Sequence, residues 1–463
     1  MSNLGFQPLS PLDGRYREAV QALGEYLSEA GLNKARVLVE IEWLIHLAER
    51  NLLGSNNEIS EESKAQLRAI ASDFGIEDIS ELANLESTTK HDVKAVEYFI
   101  RKKLTNLNRD DLAELVHFGC TSEDINNLSY AITIRSAISK VWLPAAEKLV
   151  EQLSDLARKY AKDAMLSRTH GQAATPTTMG KELAVFAFRL GRQLERIQSV
   201  DYLGKFSGAT GTWSAHLIAS PEVDWLNESK LFVESLGLTF NPLTTQIESH
   251  DWQAELYAGI AHFNRILHNL CTDVWTYISL SYFKQIPVSG ATGSSTMPHK
   301  VNPIRFENAE ANLELSSAIL DTLAATLVTT RLQRDLTDST SQRNVGVGLG
   351  HSLLAIDNAI KGLGQIELNQ AVLEADLKEN WEVLAEAIQT VIRAEIARGN
   401  SQITDPYALL KELTRGKRVS EDDLLAFITD LDISQEAKSR LVSLKPSGYS
   451  GLASVLVELL ARP

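Results

Sequence analysis

The chain has 463 residues, 44% of them hydrophobic and 23% charged, and 60 acidic against 45 basic side chains leave a formal net charge of -15. That length exceeds one ordinary domain and can bury a large core, while the acidic balance argues against nucleic acid or an anionic membrane surface as partner. Cys120 and Cys271 are the only cysteines, too few for a disulfide scaffold and too far apart for a clustered zinc site, so a reducing cytoplasm is the expected compartment.

Residues 1–16 lack the charged start and apolar stretch of an export signal, and no run reaches the roughly 18 apolar residues of a membrane span. Thr89-Lys90-His91-Asp92 has capping-box spacing and precedes a helical run from Val93 to Lys103. Asn106 to Asp110 interrupts the helical pattern and closes a first domain, 1–110. Cys120-Thr121-Ser122-Glu123-Asp124-Ile125-Asn126-Asn127 repeats the capping-box spacing, from Thr121 to Asp124. Helices are expected over Leu143–Lys162 and Met179–Val200. Between them, Ser167-Arg168-Thr169-His170-Gly171-Gln172-Ala173-Ala174-Thr175-Pro176 reads as a loop ending in an N-cap with proline in the first turn, which leaves His170 in the loop. Leu236 to Phe240 is a candidate short strand.

From Asp251 to Ile286 there is no proline, and Leu256, Ile260, Phe263, Leu267, Leu270, Val274 and Tyr277 recur at spacings of four and three, the pattern of a bundle seam. Next comes Gly293-Ser294-Ser295-Thr296-Met297-Pro298-His299-Lys300-Val301-Asn302-Pro303, where glycine, hydroxyls and a lysine precede an expected N-cap at Asn302. A helix starting there would turn its positive dipole end towards an anion in the loop. A second seam follows: Phe306, Ala309, Leu313, Ser316, Leu320, Leu323 and Leu327. Arg331 to Asn344 holds three arginines and several hydroxyls, groups that grip phosphate. A further helix is expected over His351–Gly362, and Gly362-Leu363-Gly364 ends the bundle, 111–365. Turns at Arg398-Gly399-Asn400-Ser401 and Lys445-Pro446-Ser447-Gly448 divide short helices in a last domain, 366–463. The basic run Thr414-Arg415-Gly416-Lys417-Arg418 reads as solvated surface. The fold class is mostly α, around a long central bundle.

Taken singly, each polar segment is best read as an ordinary cap or solvated turn; together, four of them stand at expected helix N-termini in an acidic chain. No GxGxxG after a strand, Walker loop, HExxH or GxSxG is present, so neither cofactor nor metal is expected.

GSSTMPHKVNP closely resembles the signature of the fumarase/aspartase superfamily. Ser10 to Tyr16, His91 to Phe99, Thr121 to Asn127, Arg168 to Gln172 and Arg334 to Ser339 resemble, within it, the adenylosuccinate lyase family of the bacterial purine-biosynthetic type. The likeness runs over nearly the whole chain. It implies a three-domain fold and elimination of fumarate from adenylosuccinate and from succinyl-aminoimidazole-carboxamide ribotide. By the same resemblance Ser294 is the general base and His170 the general acid, with His91 assisting. Lys300 and Asn302, with Thr121 and Ser122, hold the succinyl carboxylates and the developing negative charge. Arg15, Tyr16, Arg334, Ser339 and Arg343 hold phosphate and ribose, and Gln246 and Asn308 complete the contacts. Lys90, Asp92, Ser295 and Thr340, neighbours of these residues, are counted with the substrate-binding set. The resemblance also implies a homotetramer with sites shared between subunits. Two other readings stay open from the sequence: a sister lyase releasing fumarate from another succinyl compound, and a non-catalytic helical oligomer.

Overall fold

The computed structural model describes residues 8–54, 59–287, 297, 300–414 and 419–460. Helices α1 (Arg17–Leu27), α2 (Glu29–Glu49), α3 (Glu61–Ser72), α4 (Ile76–Thr89) and α5 (Asp92–Asn106) come first, followed by α6 (Ser122–Ala137). A π-helical turn, Ile138–Trp142, joins α6 to α7 (Leu143–Lys159). Strands β1 (Ala164–Thr169) and β2 (Gln172–Thr178) lead into α8 (Met179–Gln198). Then come β3 (Leu203–Gly204), α9 (Ser214–Ala219), α10 (Trp225–Ser235), β4 (Thr239–Phe240) and the 29-residue α11 (Asp251–Ser279). β5 (Phe283–Gln285), α12 (Ile304–Leu327), α13 (Thr337–Gln342), α14 (Val345–Leu363) and β6 (Ile366–Leu368) follow. The chain continues with α15 (Gln370–Lys378), α16 (Ala385–Ala397), α17 (Pro406–Thr414), α18 (Glu421–Asp430), α19 (Gln435–Val442) and α20 (Ala453–Leu456).

Both seams face the core. Leu256, Ile260, Phe263, Leu267, Leu270 and Val274 of α11 are buried, as are all seven seam positions of α12. Tyr277 is only half-buried, since α11 ends two residues later. Apolar side chains at three- and four-residue spacing form one stripe, with small Ala309 and Ser316 letting a neighbour approach α12 closely, and burial of that stripe outweighs the propensity of any single residue.

The described residues form two compact units, 1–146 with 193–265 and 311–357, and 147–192 with 266–310 and 358–463. In the first, a polar network threads the apolar core. Trp142 Nε1 donates to Ser352 Oγ at 2.9 Å, Ser352 Oγ to Asn264 Oδ1 at 2.8 Å, and Asn264 Nδ2 to Ser316 Oγ at 2.9 Å. Ser316 Oγ closes on the Gly348 carbonyl at 2.7 Å, so every member is satisfied and helix register is specified. The candidate strand near 240 is β4, which pairs in parallel with β3.

The second unit contains the β1–β2 hairpin and an antiparallel β5–β6 pair. Its C-terminal helices bury Leu384, Ile388, Ile392, Leu424, Ile428 and Leu441 in a cluster of their own.

The expected caps at Thr89 and Thr175 fall elsewhere. The cap of α5 is His91, whose Nδ1 accepts from Lys94 N–H at 3.2 Å, because Thr89 is the last residue of α4 and Lys90 turns into the left-handed region at φ 54°. Thr175-Pro176 is no cap: both residues lie in β2, and α8 begins at Met179. Proline fits there beside a register shift at Leu166/Ser167.

Candidate functional site

In the first unit the polar run that opens α6 works on two sides. Asp124 and Asn127, three apart and so on one face, clamp the segment after β3. Asp124 accepts backbone N–H bonds from Thr121 (2.8 Å), Ser207 (2.8 Å) and Gly208 (3.1 Å), and pairs with Lys205 Nζ at 2.9 Å. Neither side chain of that pair is exposed at all. Asn127 accepts from Lys205 N–H at 2.8 Å and donates to its carbonyl at 3.0 Å. Lys205 Nζ also reaches the Gln246 carbonyl at 2.8 Å, which ties Gln246 to the same clamp. The expected Thr121 box is thus present through the Asp124 carboxylate, and Thr121 and Ser122 stand half-buried at the helix start.

Glu123 and Asn126 take the other side. Arg334 Nη2 meets Glu123 Oε1 at 3.0 Å, and Arg334 Nη1 donates to Gln246 Oε1 at 3.4 Å. Asn126 Nδ2 donates to the same Glu123 oxygen at 2.9 Å, while its Oδ1 accepts from Arg36 Nε at 2.9 Å. Arg36 Nη2 pairs with Asp92 Oδ2 at 2.8 Å, and Arg343 Nη2 reaches the same oxygen at 3.2 Å. Arg343 also pairs with Glu29. Burial alone would raise the Asp92 carboxyl, but Arg36, the Val93 N–H and Arg343 together hold it below the usual carboxylate range.

Lys90 and His91 are exposed directly before Asp92. Arg15, also exposed, lies over the Tyr16 ring, 5.8 Å from its centroid. Ser339 and Thr340 sit in the short α13, which buried His250 holds: its Nε2 stands 3.4 Å from Asp338 Oδ2, and Gln342 Nε2 is 3.3 Å from the ring. Gln246, Arg334, Asp92 and Arg343 are therefore brought into one hydrogen-bonded assembly. Arg36, Glu123, Asn126 and Lys205, which complete it, were not singled out from the sequence, nor was His250, which holds α13 beside Ser339 and Thr340. A helix whose first turns bury Glu123, Asp124, Ile125, Asn126 and Asn127 needs internal polar partners, and those partners lie far away in sequence.

In the second unit His170 and Gly171 are the two turn residues of the β1–β2 hairpin, between paired Thr169 and Gln172. Their φ values, 53° and 76°, are the pair of left-handed conformations that a two-residue type I′ hairpin requires. His170 is thereby exposed at the tip. Arg168 pairs with Asp376 at 2.8 Å and Thr175 Oγ1 donates to Glu386 at 2.8 Å, which fixes both strands to the C-terminal helices. Lys300 is exposed, and Asn302 and Asn308 are half-buried at the start of α12. The first helical bond of α12 runs from Phe306 N–H to the Pro303 carbonyl at 3.1 Å, which puts the cap at Pro303, one residue after the expected Asn302, and the helix start at Ile304. Ser294, Ser295 and the basic residues 415–418 lie outside the described residues. Among the described residues no group of three or more His, Cys, Asp or Glu side chains is placed to hold a metal ion.

Residues 14–315 match a family described as lyase, and residues 330–450 match the adenylosuccinate lyase C-terminal family. Adenylosuccinate lyase of Escherichia coli strain K12 is 48% identical over 453 residues, covering 98% of each chain. That of Haemophilus influenzae is 48% identical over 454 residues with the same coverage, and that of Legionella pneumophila strain Corby 45% over 459 residues, 99% of each. Among solved structures, 3-carboxy-cis,cis-muconate lactonizing enzyme from Pseudomonas putida superposes with a TM-score of 0.72 at 21% identity over 95% of both chains. A fumarate lyase from Mesorhizobium sp. BNC1 gives 0.72 at 19% identity, over 95% of this chain and 96% of that one. At those identities the likeness is one of fold.

Proposed function

We propose that this chain, which belongs to the adenylosuccinate lyase family, eliminates fumarate from adenylosuccinate to give AMP, and from succinyl-aminoimidazole-carboxamide ribotide to give the carboxamide ribotide. The observation that carries the reading is end-to-end identity of 48% to a curated lyase of that name. The direct test is loss of adenylosuccinate absorbance on adding purified protein, with argininosuccinate and malate as controls. Turnover of a control in place of adenylosuccinate would move the chain to a sister activity.

In this reading Ser294 removes the proton beside a succinyl carboxylate and His170 protonates the departing nitrogen, with His91 assisting. Exposure of His170 at a rigid hairpin tip supports its part, since an acid must reach the leaving atom without a flexible arm. Lys300, Asn302, Thr121 and Ser122 hold the carboxylates and the negative charge that develops between them. Arg15, Tyr16, Arg334, Ser339 and Arg343 take phosphate and ribose, and Lys90, Asp92, Gln246, Ser295, Asn308 and Thr340 line the remainder. The assembly of Gln246, Arg334, Asp92 and Arg343 supports the nucleotide side of this assignment.

The working form in this reading is a cytoplasmic homotetramer with shared sites and three domains, 1–110, 111–365 and 366–463. Exposed Val185 and Phe188 on α8, Trp275 on α11 and Leu315 on α12 support association along the bundle helices. A monomeric mass by light scattering at assay concentration would end the tetramer.

A further inference from the structure

We infer that Glu123, backed by Asn126 and Arg36, is the positioning device that aims Arg334 and sets it in register with Arg343. The inference rests on the reading of those two arginines as nucleotide contacts and adds three residues that touch no substrate.

Arg334 has few other constraints. Its side chain is 15% exposed, its bond to Gln246 is long at 3.4 Å, and its Nε is buried with no hydrogen-bond partner. The 3.0 Å contact with Glu123 is therefore what fixes the guanidinium. Glu123 is in turn fixed by Asn126, and the amide of Asn126 has one permitted orientation. Its nitrogen must face the carboxylate and its oxygen must face Arg36 Nε, because a flip would set donor against donor and acceptor against acceptor. Arg36, only 1% exposed, carries the constraint onward to Asp92, which also holds Arg343.

The charged groups along this path alternate in sign: Arg334, Glu123, Arg36, Asp92, Arg343, Glu29. Each buried charge thus has an opposite neighbour, the condition under which ions are retained in a protein interior. The middle of the path is buried, and the Arg343 end surfaces at 39% exposure. A path of this kind holds two cationic heads at a set separation, suited to a phosphate monoester that touches both.

Both contacts to Glu123 fall on one oxygen, Oε1, and this makes the idea testable. The amide of Glu123→Gln presents one oxygen that can accept both bonds, whereas Glu123→Ala presents none. Dissociation constants for AMP and for fumarate, measured on the full-length protein, separate positioning from general loosening. Glu123→Ala should weaken AMP about tenfold or more and leave fumarate within about threefold, with KM for adenylosuccinate rising more than kcat falls. Glu123→Gln should restore AMP affinity to within about threefold of the parent. Asn126→Ala, which keeps the Glu123–Arg334 pair, should give a smaller loss of the same selectivity, and it serves if Glu123→Ala does not fold.

Adding Glu123→Ala to Arg334→Ala should cost no further AMP affinity, as expected for residues acting in series. Equal losses of AMP and fumarate binding, or a Glu123→Gln variant as impaired as Glu123→Ala, would overturn the inference. Unchanged AMP binding in Arg334→Ala would instead overturn the nucleotide assignment on which it rests. An Arg334→Ala effect without a Glu123→Ala effect would sink the inference alone.

Discussion

His170 and Ser294 are one pair at the residue scale whose removal should act on chemistry and not on folding. His170 stands at an exposed turn whose left-handed backbone does not depend on its ring, so His170→Ala should lose most turnover while its thermal midpoint moves little. Ser294→Ala should do the same, and a near-normal kcat in either variant would refute its assigned role. His117 should behave in the opposite way. Burial alone would lower its imidazole, but Glu40 accepts from Nδ1 at 2.6 Å and from the backbone N–H at 3.1 Å and holds it above the usual histidine value. A raised folded pKa contributes stability that is complete below the unfolded value of about 6.5 and is lost as pH climbs through the folded one. The stability difference between the parent and His117→Asn, from denaturant titrations, should therefore shrink as pH rises above the unfolded value of about 6.5. A difference independent of pH would mean that the ion pair contributes nothing.

At the scale of elements, α6 is where local pattern and tertiary demand part company. Its first turn announces a cap, yet Glu123, Asp124, Asn126 and Asn127 are 4%, 0%, 7% and 4% exposed. Removing one member of the Asp124–Lys205 pair leaves a charge without a partner, so Asp124→Asn or Lys205→Met should each cost about 3–5 kcal/mol. Combining Asp124→Asn with Lys205→Met should cost less than the sum of the two singles, measurable by a double-mutant cycle. Strict additivity would show that the two groups do not depend on each other. The seams of α11 and α12 were legible in the sequence because helix burial repeats every three or four residues, a local property. The β1–β2 hairpin was not: its strands are six and seven residues long, its turn is His-Gly where Asn-Gly would have announced it, and its proline mimicked a helix start. The partners of α6 were illegible for another reason. Arg36 lies 90 residues from Asn126, and Lys205 lies 78 from Asn127, and periodicity carries no information over such separations.

For the molecule as a whole, the candidate site divides along the line between local and long-range information. Single-residue candidates could be read from motifs, since the loops that carry them keep their chemistry in one short stretch. The scaffold that aims them, Arg36, Glu123, Asn126, Lys205 and His250, came only with the topology. The alternating arginine path has a kinetic consequence as well. Three guanidinium groups matched to three carboxylates cancel at a distance, so this path adds no long-range attraction to the field of a chain carrying a formal charge of -15. Attraction by these arginines begins only at contact. Capture of the anionic substrate should thus be hindered, not steered, by long-range forces, and kcat/KM should hold or rise as ionic strength increases from about 0.02 M to about 0.15 M. A steep fall over that range would reveal an attractive field that the pairing of these arginines does not provide.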